Sequence, residues 1–216
     1  MKKRFTKLMA MLLAVAMVLS LAACGGSSEE TSAPAATESA STAETVDGEK
    51  VLTAAISTAW DTMMPLNTTS NYTRMIADQI YDRLTQTTAD GKIEGRLAES
   101  WTVNEDSTAV TFKLYENANW SDGEPVTAAD VVFSYQMYSD PAVEAKSRYH
   151  LQYIAGVDAS GAELSEDSIE VFAEDDYTVT FNLKSAMFAE TFLQDIDTVF
   201  IIPKHIFEGK TAEEIN

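Results

Sequence analysis

Two nearly identical strings constrain this chain most: AVTFKL at 109–114 and TVTFNL at 178–183. In each, Val, Phe and Leu alternate with Thr, Lys or Asn, the period of a strand with one buried face. Each also follows a polar turn that closes an earlier extended run. Trp101-Thr102-Val103 leads through Asn104–Thr108 into the first string, and the run from Ile169 leads through an acidic turn into the second. Two copies are too few for a repeat architecture. They predict a β-rich domain of mixed α/β class, because other segments read as helix. In TRMIADQIYDRLTQ (73–86) the apolar residues at 75, 76, 80, 81 and 84 predict a helix with one stripe in a core. VLTAAIS (51–57) reads as a buried strand, Ala89-Asp90-Gly91 as a turn and AMFAETFLQ (186–194) as a short helix. VFIIPKHIF (199–207) reads as a buried strand stopped by Pro203, and GKTAEEIN as the start of a further helix.

The stretch NANWSDGEPVTAADVVFSYQ (117–136) places Asp122, Glu124 and Asp130 close together. Asp-Gly at 122–123 is turn chemistry, and Glu124 is held extended by the proline that follows. Thr127-Ala-Ala-Asp130 is a capping box in its Asp form at the start of AADVVFSYQMY, and Asp130 faces the positive end of that helix. A calcium loop needs more oxygen ligands at regular spacing. The carboxylates are therefore read as structural, with no metal and no cofactor.

The N-terminus has a basic head (Lys2, Lys3, Arg4, Lys7) and an apolar run from Leu8 to Ala23. This run is shorter than the roughly 20 residues of a membrane-spanning helix. It reads as a secretory signal peptide over residues 1–23. Leu21-Ala22-Ala23-Cys24 resembles a bacterial lipobox, which makes Cys24, the only cysteine, the acylated first residue of a lipoprotein. Residues 24–49 hold one large apolar residue, Val46, and read as a structureless tether of roughly 25–30 Å. The formal charge of −19 becomes more negative once the basic head is removed. Such a body repels nucleic acid and anionic lipid, so membrane attachment falls to the lipid anchor. An exported protein on the outer face of the cytoplasmic membrane is expected.

Several motifs occur in a fixed order: Leu97-Ala98-Glu99-Ser100-Trp101, Phe112-Lys113-Leu114, Trp120-Ser121-Asp122-Gly123-Glu124-Pro125-Val126-Thr127-Ala128-Ala129-Asp130, Leu151-Gln152-Tyr153-Ile154-Ala155-Gly156-Val157-Asp158 and Ile202-Pro203-Lys204-His205. Together they resemble family 5 of the extracellular solute-binding proteins, the peptide-binding components of ABC importers. The resemblance runs from about residue 50 to the end of the chain. It implies the first-lobe portion of a two-lobed periplasmic-binding-protein-like fold (type II, cluster C-like), truncated because members are much longer. It also implies a monomer that performs no chemistry and passes an oligopeptide or dipeptide to a membrane permease with its ATPase. Relatives of this fold take nickel chelates, haem or sugars instead.

By position, the resemblance assigns ligand contacts to Asn67, Thr68, Thr69, Ser70, Asn71 and Tyr72, and to Arg148, Tyr149 and His150. Asn, Thr and Tyr offer hydrogen bonds to a peptide backbone without selecting its side chains. Trp101 and Trp120 flank strands and are read as core; Trp60, in a loop, is open to either role. A hydrolase is disfavoured. His150 and His205 are the only histidines, neither has metal-ligand spacing, and no Gly-x-Ser-x-Gly elbow occurs. A non-importing surface module is the remaining alternative. Half a lobe is expected to leave Phe112, Phe181, Phe200 and Ile201 poorly covered, so residues 50–216 are not expected to fold cooperatively alone.

Overall fold

The computed structural model describes residues 55–215, together with Thr53 and the strands at 44–46 and 49–51. The signal segment, Cys24 and most of the tether lie outside the described residues. The chain divides into two units at Ala54. In the first, β1 (Glu44–Val46) pairs antiparallel with β2 (Glu49–Val51), Val46 opposite Glu49. The stretch read as a structureless tether therefore ends in a ladder. The intervening sequence Asp47-Gly48 is the pair favoured in two-residue hairpin links.

The second unit runs α1 (Asn71–Ile80), β3 (Thr85–Thr87), β4 (Ile93–Gly95), β5 (Ala98–Val103), β6 (Ala109–Leu114) and α2 (Ala128–Ser139). It continues through a 3₁₀ turn (Arg148–Tyr153), β7 (Val171–Asp175), β8 (Thr178–Asn182), α3 (Ala189–Asp195), α4 (Lys204–Phe207) and α5 (Ala212–Ile215). Strands β3 and β4 form a hairpin over the predicted turn at 89–91. The central sheet has the order β5-β6-β8-β7 and is antiparallel throughout.

Both hairpins read from the sequence are present, and the twin strings lie side by side. Val110 faces Phe181, Thr111 faces Thr180 and Phe112 faces Val179. Alternation sends Val110, Phe112, Val179 and Phe181 to one face, each fully buried. On the other face the hydroxyls of Thr111 and Thr180 meet at 2.9 Å. The buried face carries a ring cluster, with Phe112–Phe181 centroids 5.6 Å apart, Phe181–Phe192 5.3 Å and Tyr135–Phe181 4.8 Å. Each such ring contributes roughly 1.5–3 kcal/mol when fully buried. Trp101 and Trp120 pack against the same core, as read, and Trp60 is 57% exposed.

Phe112, Phe181, Phe200 and Ile201 are not poorly covered. None is more than 2% exposed. Tyr135 of α2 and Phe192 of α3 pack over the Phe112–Phe181 pair. Arg74 and Arg83 lie over the Phe200 ring, 5.5 and 4.6 Å from its centroid.

Three elements differ from their sequence readings. First, the helix predicted over 73–86 ends at Ile80, where Tyr81 takes an extended backbone (φ −109°, ψ 152°). Its buried residues are Thr73 and Ala77, while Met75 and Ile80 of the apolar stripe are more than half exposed. Polar tethers replace the stripe: Thr73 hydrogen-bonds Asp61 at 2.6 Å, and Arg74 donates to the Thr198 carbonyl at 3.3 Å. Second, the strand read over 51–57 does not extend past Val51 among the described residues. Ala55 and Ser57 are exposed, and no ladder pairs them. Third, Val199–Pro203 is buried as predicted but is not a strand. Its backbone is satisfied singly: Ile201 N–H by the Asp82 carbonyl at 2.8 Å, and Ile202 N–H by Ser134 Oγ at 2.9 Å. Pro203 then caps α4.

The capping box forms at α2. Asp130, 4% exposed, accepts from Thr127 N–H (2.8 Å) and the Thr127 hydroxyl (3.0 Å) with one oxygen. With the other it accepts from Lys204 N–H at 2.8 Å, joining the starts of two helices distant in sequence. Asp122 has a partner that the local reading missed: its Oδ2 lies 2.8 Å from His205 Nε2.

Candidate ligand-binding site

The loop before α1 is organised by Asp61, a residue the sequence reading passed over. Its Oδ1 accepts from the hydroxyls of Thr73 (2.6 Å) and Thr68 (2.8 Å) and from Thr62 N–H (2.9 Å). Its Oδ2 accepts from Thr69 N–H (3.1 Å), and its own N–H donates to Thr73 Oγ1 (3.2 Å). These donors, the Thr73 hydroxyl foremost, hold the Asp61 carboxyl far below the usual carboxylate range. Thr68 Oγ1 accepts from Ser70 N–H at 3.1 Å. Ser70 is the N-cap of α1, accepting from Thr73 N–H at 3.4 Å. Ser57 donates to the Tyr72 hydroxyl at 2.6 Å. Thr68–Tyr72 are thus spatial neighbours in a loop wound around one carboxylate. Asn71 is exposed at the first turn of α1.

The second group lies beyond the segment Val143–Lys146. Lys146 N–H donates to the Leu66 carbonyl at 2.9 Å, which fastens this segment beside Asn67. A cavity of about 230 Å³ is lined by Asn67, Val143, Glu144 and Lys146. An adjoining cavity of about 400 Å³ is lined by Pro141, Glu144, Ala145, Lys146, Arg148, Tyr149 and Ser160. Glu144 and Lys146 line both, so Asn67 and the Arg148–Tyr149 pair lie along adjoining parts of one surface groove. Gly161 (φ +81°) lets its segment pack closely on the start of the 3₁₀ turn, since a Cβ there would lie 1.8 Å from the Arg148 carbonyl oxygen.

His150 does not join Arg148 and Tyr149 in the cavity lining. Its ring packs under Tyr149 with centroids 3.9 Å apart, and its Nδ1 lies 3.8 Å from Asp195. Burial lowers its pKa below 6.5 against the opposing pull of Asp195. The structure therefore places Asn67 in one cavity and Arg148 and Tyr149 in the adjoining one, sets Thr68–Tyr72 on the loop that follows Asn67, and turns His150 towards α3. Sequence reasoning missed Asp61, Glu144, Lys146 and Ser160. An aspartate just ahead of a hydroxyl-rich loop was the available signal for Asp61. No local pattern marks the other three.

The groove carries no catalytic constellation, and among the described residues no group of three or more His, Cys, Asp or Glu could hold a metal. No described helix is long and apolar enough to cross a membrane.

Residues 92–215 match the profile of the bacterial extracellular solute-binding proteins, family 5. The chain is 30% identical over 184 residues to the dipeptide-binding protein DppE of Bacillus subtilis, covering 85% of this chain and 33% of that protein. It is 38% identical over 112 residues to the periplasmic oligopeptide-binding protein OppA of Escherichia coli, covering 50% of this chain and 20% of that one. Among solved structures, Haemophilus influenzae OppA in complex with RPPGFSPFR superposes with a TM-score of 0.59 at 28% identity, over 67% of this chain and 29% of that one. The chain thus spans a third or less of the length of these relatives, as part of their larger two-lobed fold. Sheet, motif order and profile agree: the chain belongs to family 5 of the bacterial extracellular solute-binding proteins, a family of binding proteins and not of enzymes.

Proposed function

We propose that the protein captures short peptides outside the membrane and delivers them to an ABC permease, held at the membrane by acylated Cys24. The observation that carries this reading is the groove from Asn67 to Tyr149, beside a loop whose shape Asp61 sets by hydrogen bonds. Such a groove offers amide, hydroxyl and phenol groups to a peptide backbone, together with two cations and one acid. Polar contacts to the backbone suit a receptor that accepts many sequences. Preorganisation by the five hydrogen bonds at Asp61 lowers the ordering cost of capture.

The test is a calorimetric titration of the whole chain with tri-alanine and with longer unbiased peptides. Saturable binding that weakens several-fold on Asn67→Ala or Tyr149→Ala supports the reading; no binding of any peptide refutes it. Anchoring is tested separately. Incorporation of labelled palmitate that vanishes in Cys24→Ser is the expected result, and equal labelling of both forms would exclude it.

A further inference from the structure

Strand β7 is the outermost strand of the central sheet, and no described strand pairs its outer edge. In an antiparallel strand every second residue turns its N–H and C=O to the open side, so such an edge is a template for another extended chain. Beside it, between β7 and α2, runs an apolar groove of about 330 Å³ lined by Val132, Phe133, Ile169, Val171 and Phe172. The Phe172 ring is 48% exposed there. An open edge flanked by a helix and an apolar groove suits an added strand: backbone pairing holds it, and alternate side chains enter the groove.

Charge selects the strand. Asp167 and Gln136, joined at 3.2 Å, line the groove with these apolar residues. Burial, with the like charges of Asp140 and Asp167, raises the Glu163 carboxyl above its usual value. Glu170 and Glu174 lie on either side of Phe172 in the chain. Among the described residues none of these acids has an ion pair within 4.0 Å. Lys204, the cation of the lining, is already paired with Glu208 at 3.4 Å. A second copy joined through β7 would set these acids against their own copies, in a chain of formal charge −19. The edge therefore repels its own copy and attracts a basic strand.

We propose that the β7 edge and the α2–β7 groove form a docking site for an extended, basic segment of a partner protein, added as a further strand beside β7. Its alternate apolar side chains fill the groove against Val132 and Phe172, and a lysine or arginine meets Asp167. This surface shares no lining residue with the cavities at Asn67 and Tyr149, and its occupation does not depend on peptide capture there.

The experiment titrates the whole chain, followed by backbone amide NMR, with the peptide Lys-Val-Thr-Val-Thr-Val-Lys blocked at both ends. Its counterpart carries Glu in place of both Lys. The expected result is a saturable shift confined to β7 and the Ala129–Gln136 part of α2, with slowed exchange of alternate β7 amides. The basic peptide should bind roughly tenfold tighter than the acidic one. Phe172→Ala should weaken it several-fold, and Asp167→Asn should narrow the basic-over-acidic preference. Both side chains are exposed, so neither change threatens the fold. Excess tri-alanine should leave the affinity unchanged, whether or not tri-alanine itself binds elsewhere. Competition by tri-alanine would place the basic peptide in the cavities at Asn67 and Tyr149 and overturn the proposal. Equal binding of the two peptides, or no binding of either, would also overturn it. So would a dimer in sedimentation whose β7 amides are protected before any peptide is added, since the edge would then belong to a second copy.

Discussion

Phe181 and Asp61 sit at the centres of two regions held by different forces. Around Phe181, the twin strands β6 and β8 pack a ring cluster that excludes water, and each strand is paired along both of its edges. Around Asp61, an exposed carboxylate gathers hydroxyls and amides from a loop whose apolar neighbours Trp60, Met63 and Met75 remain exposed. The first region derives its stability from buried area, which depends weakly on pH and salt. The second derives its shape from charge-assisted hydrogen bonds, which set geometry more than they add stability. The rigid sheet carries the fold, and the hydrogen-bonded loop presents polar groups at the groove.

The largest effect should come from the ring cluster. Phe181→Ala removes a fully buried side chain and should cost about 3–5 kcal/mol, read as a lower midpoint in denaturant. A loss below about 1 kcal/mol would mean that the sheet is not the stabilising half. Next comes Asp130, where three donors lose one buried acceptor. Asp130→Ala should cost about 2 kcal/mol and should speed exchange of the Lys204 amide as well as those of α2. Asp61→Ala should leave the global transition nearly unmoved while hydrogen exchange accelerates from Thr62 to Thr73. A global collapse would erase the distinction between the two regions.

The pH responses sharpen it further. Asp61 has a depressed carboxyl pKa, so its contribution is complete above the unfolded value and is lost as pH falls through the folded one. The two histidines should respond with opposite signs. His205 is raised above 6.5 by its hydrogen bond to Asp122, so its stabilisation is full below 6.5 and is lost as pH rises through the folded value. His150 is lowered below 6.5, chiefly by burial, so its contribution is present above 6.5 and is lost as pH falls through the folded value. Proton NMR titration should therefore find the two imidazoles on either side of 6.5, and Asp122→Asn should move only His205 downward. Titration of both histidines together would contradict this.

How much was legible in the sequence follows the same division. Alternation in 109–114 and 178–183 gave both hairpins, because a half-buried strand writes its face into every second residue. The Thr127–Asp130 box was legible because capping is local. The pairing of the twin strings was not, since register between distant strands leaves no local mark. The end of α1 at Ile80 was misjudged because the apolar stripe continues past it, while the contacts that hold the helix, Thr73 to Asp61 and Arg74 to Thr198, are polar and long-range. At the candidate site, family position gave Asn67–Tyr72 and Arg148–His150. Asp61 was marked only by its place ahead of a hydroxyl-rich loop, and Lys146, which reaches Leu66 across the fold, left no local mark.

Backbone amide NMR of the whole chain during titration with tri-alanine tests the central claim most directly. We expect saturable shifts concentrated at Asn67–Tyr72, Lys146 and Arg148–Tyr149, with α2 and β7 unmoved. Shifts centred instead on the groove between α2 and β7, lined by Val132, Phe133 and Phe172, would contradict the placement of the site. The absence of any shift would contradict peptide capture by this part of the fold.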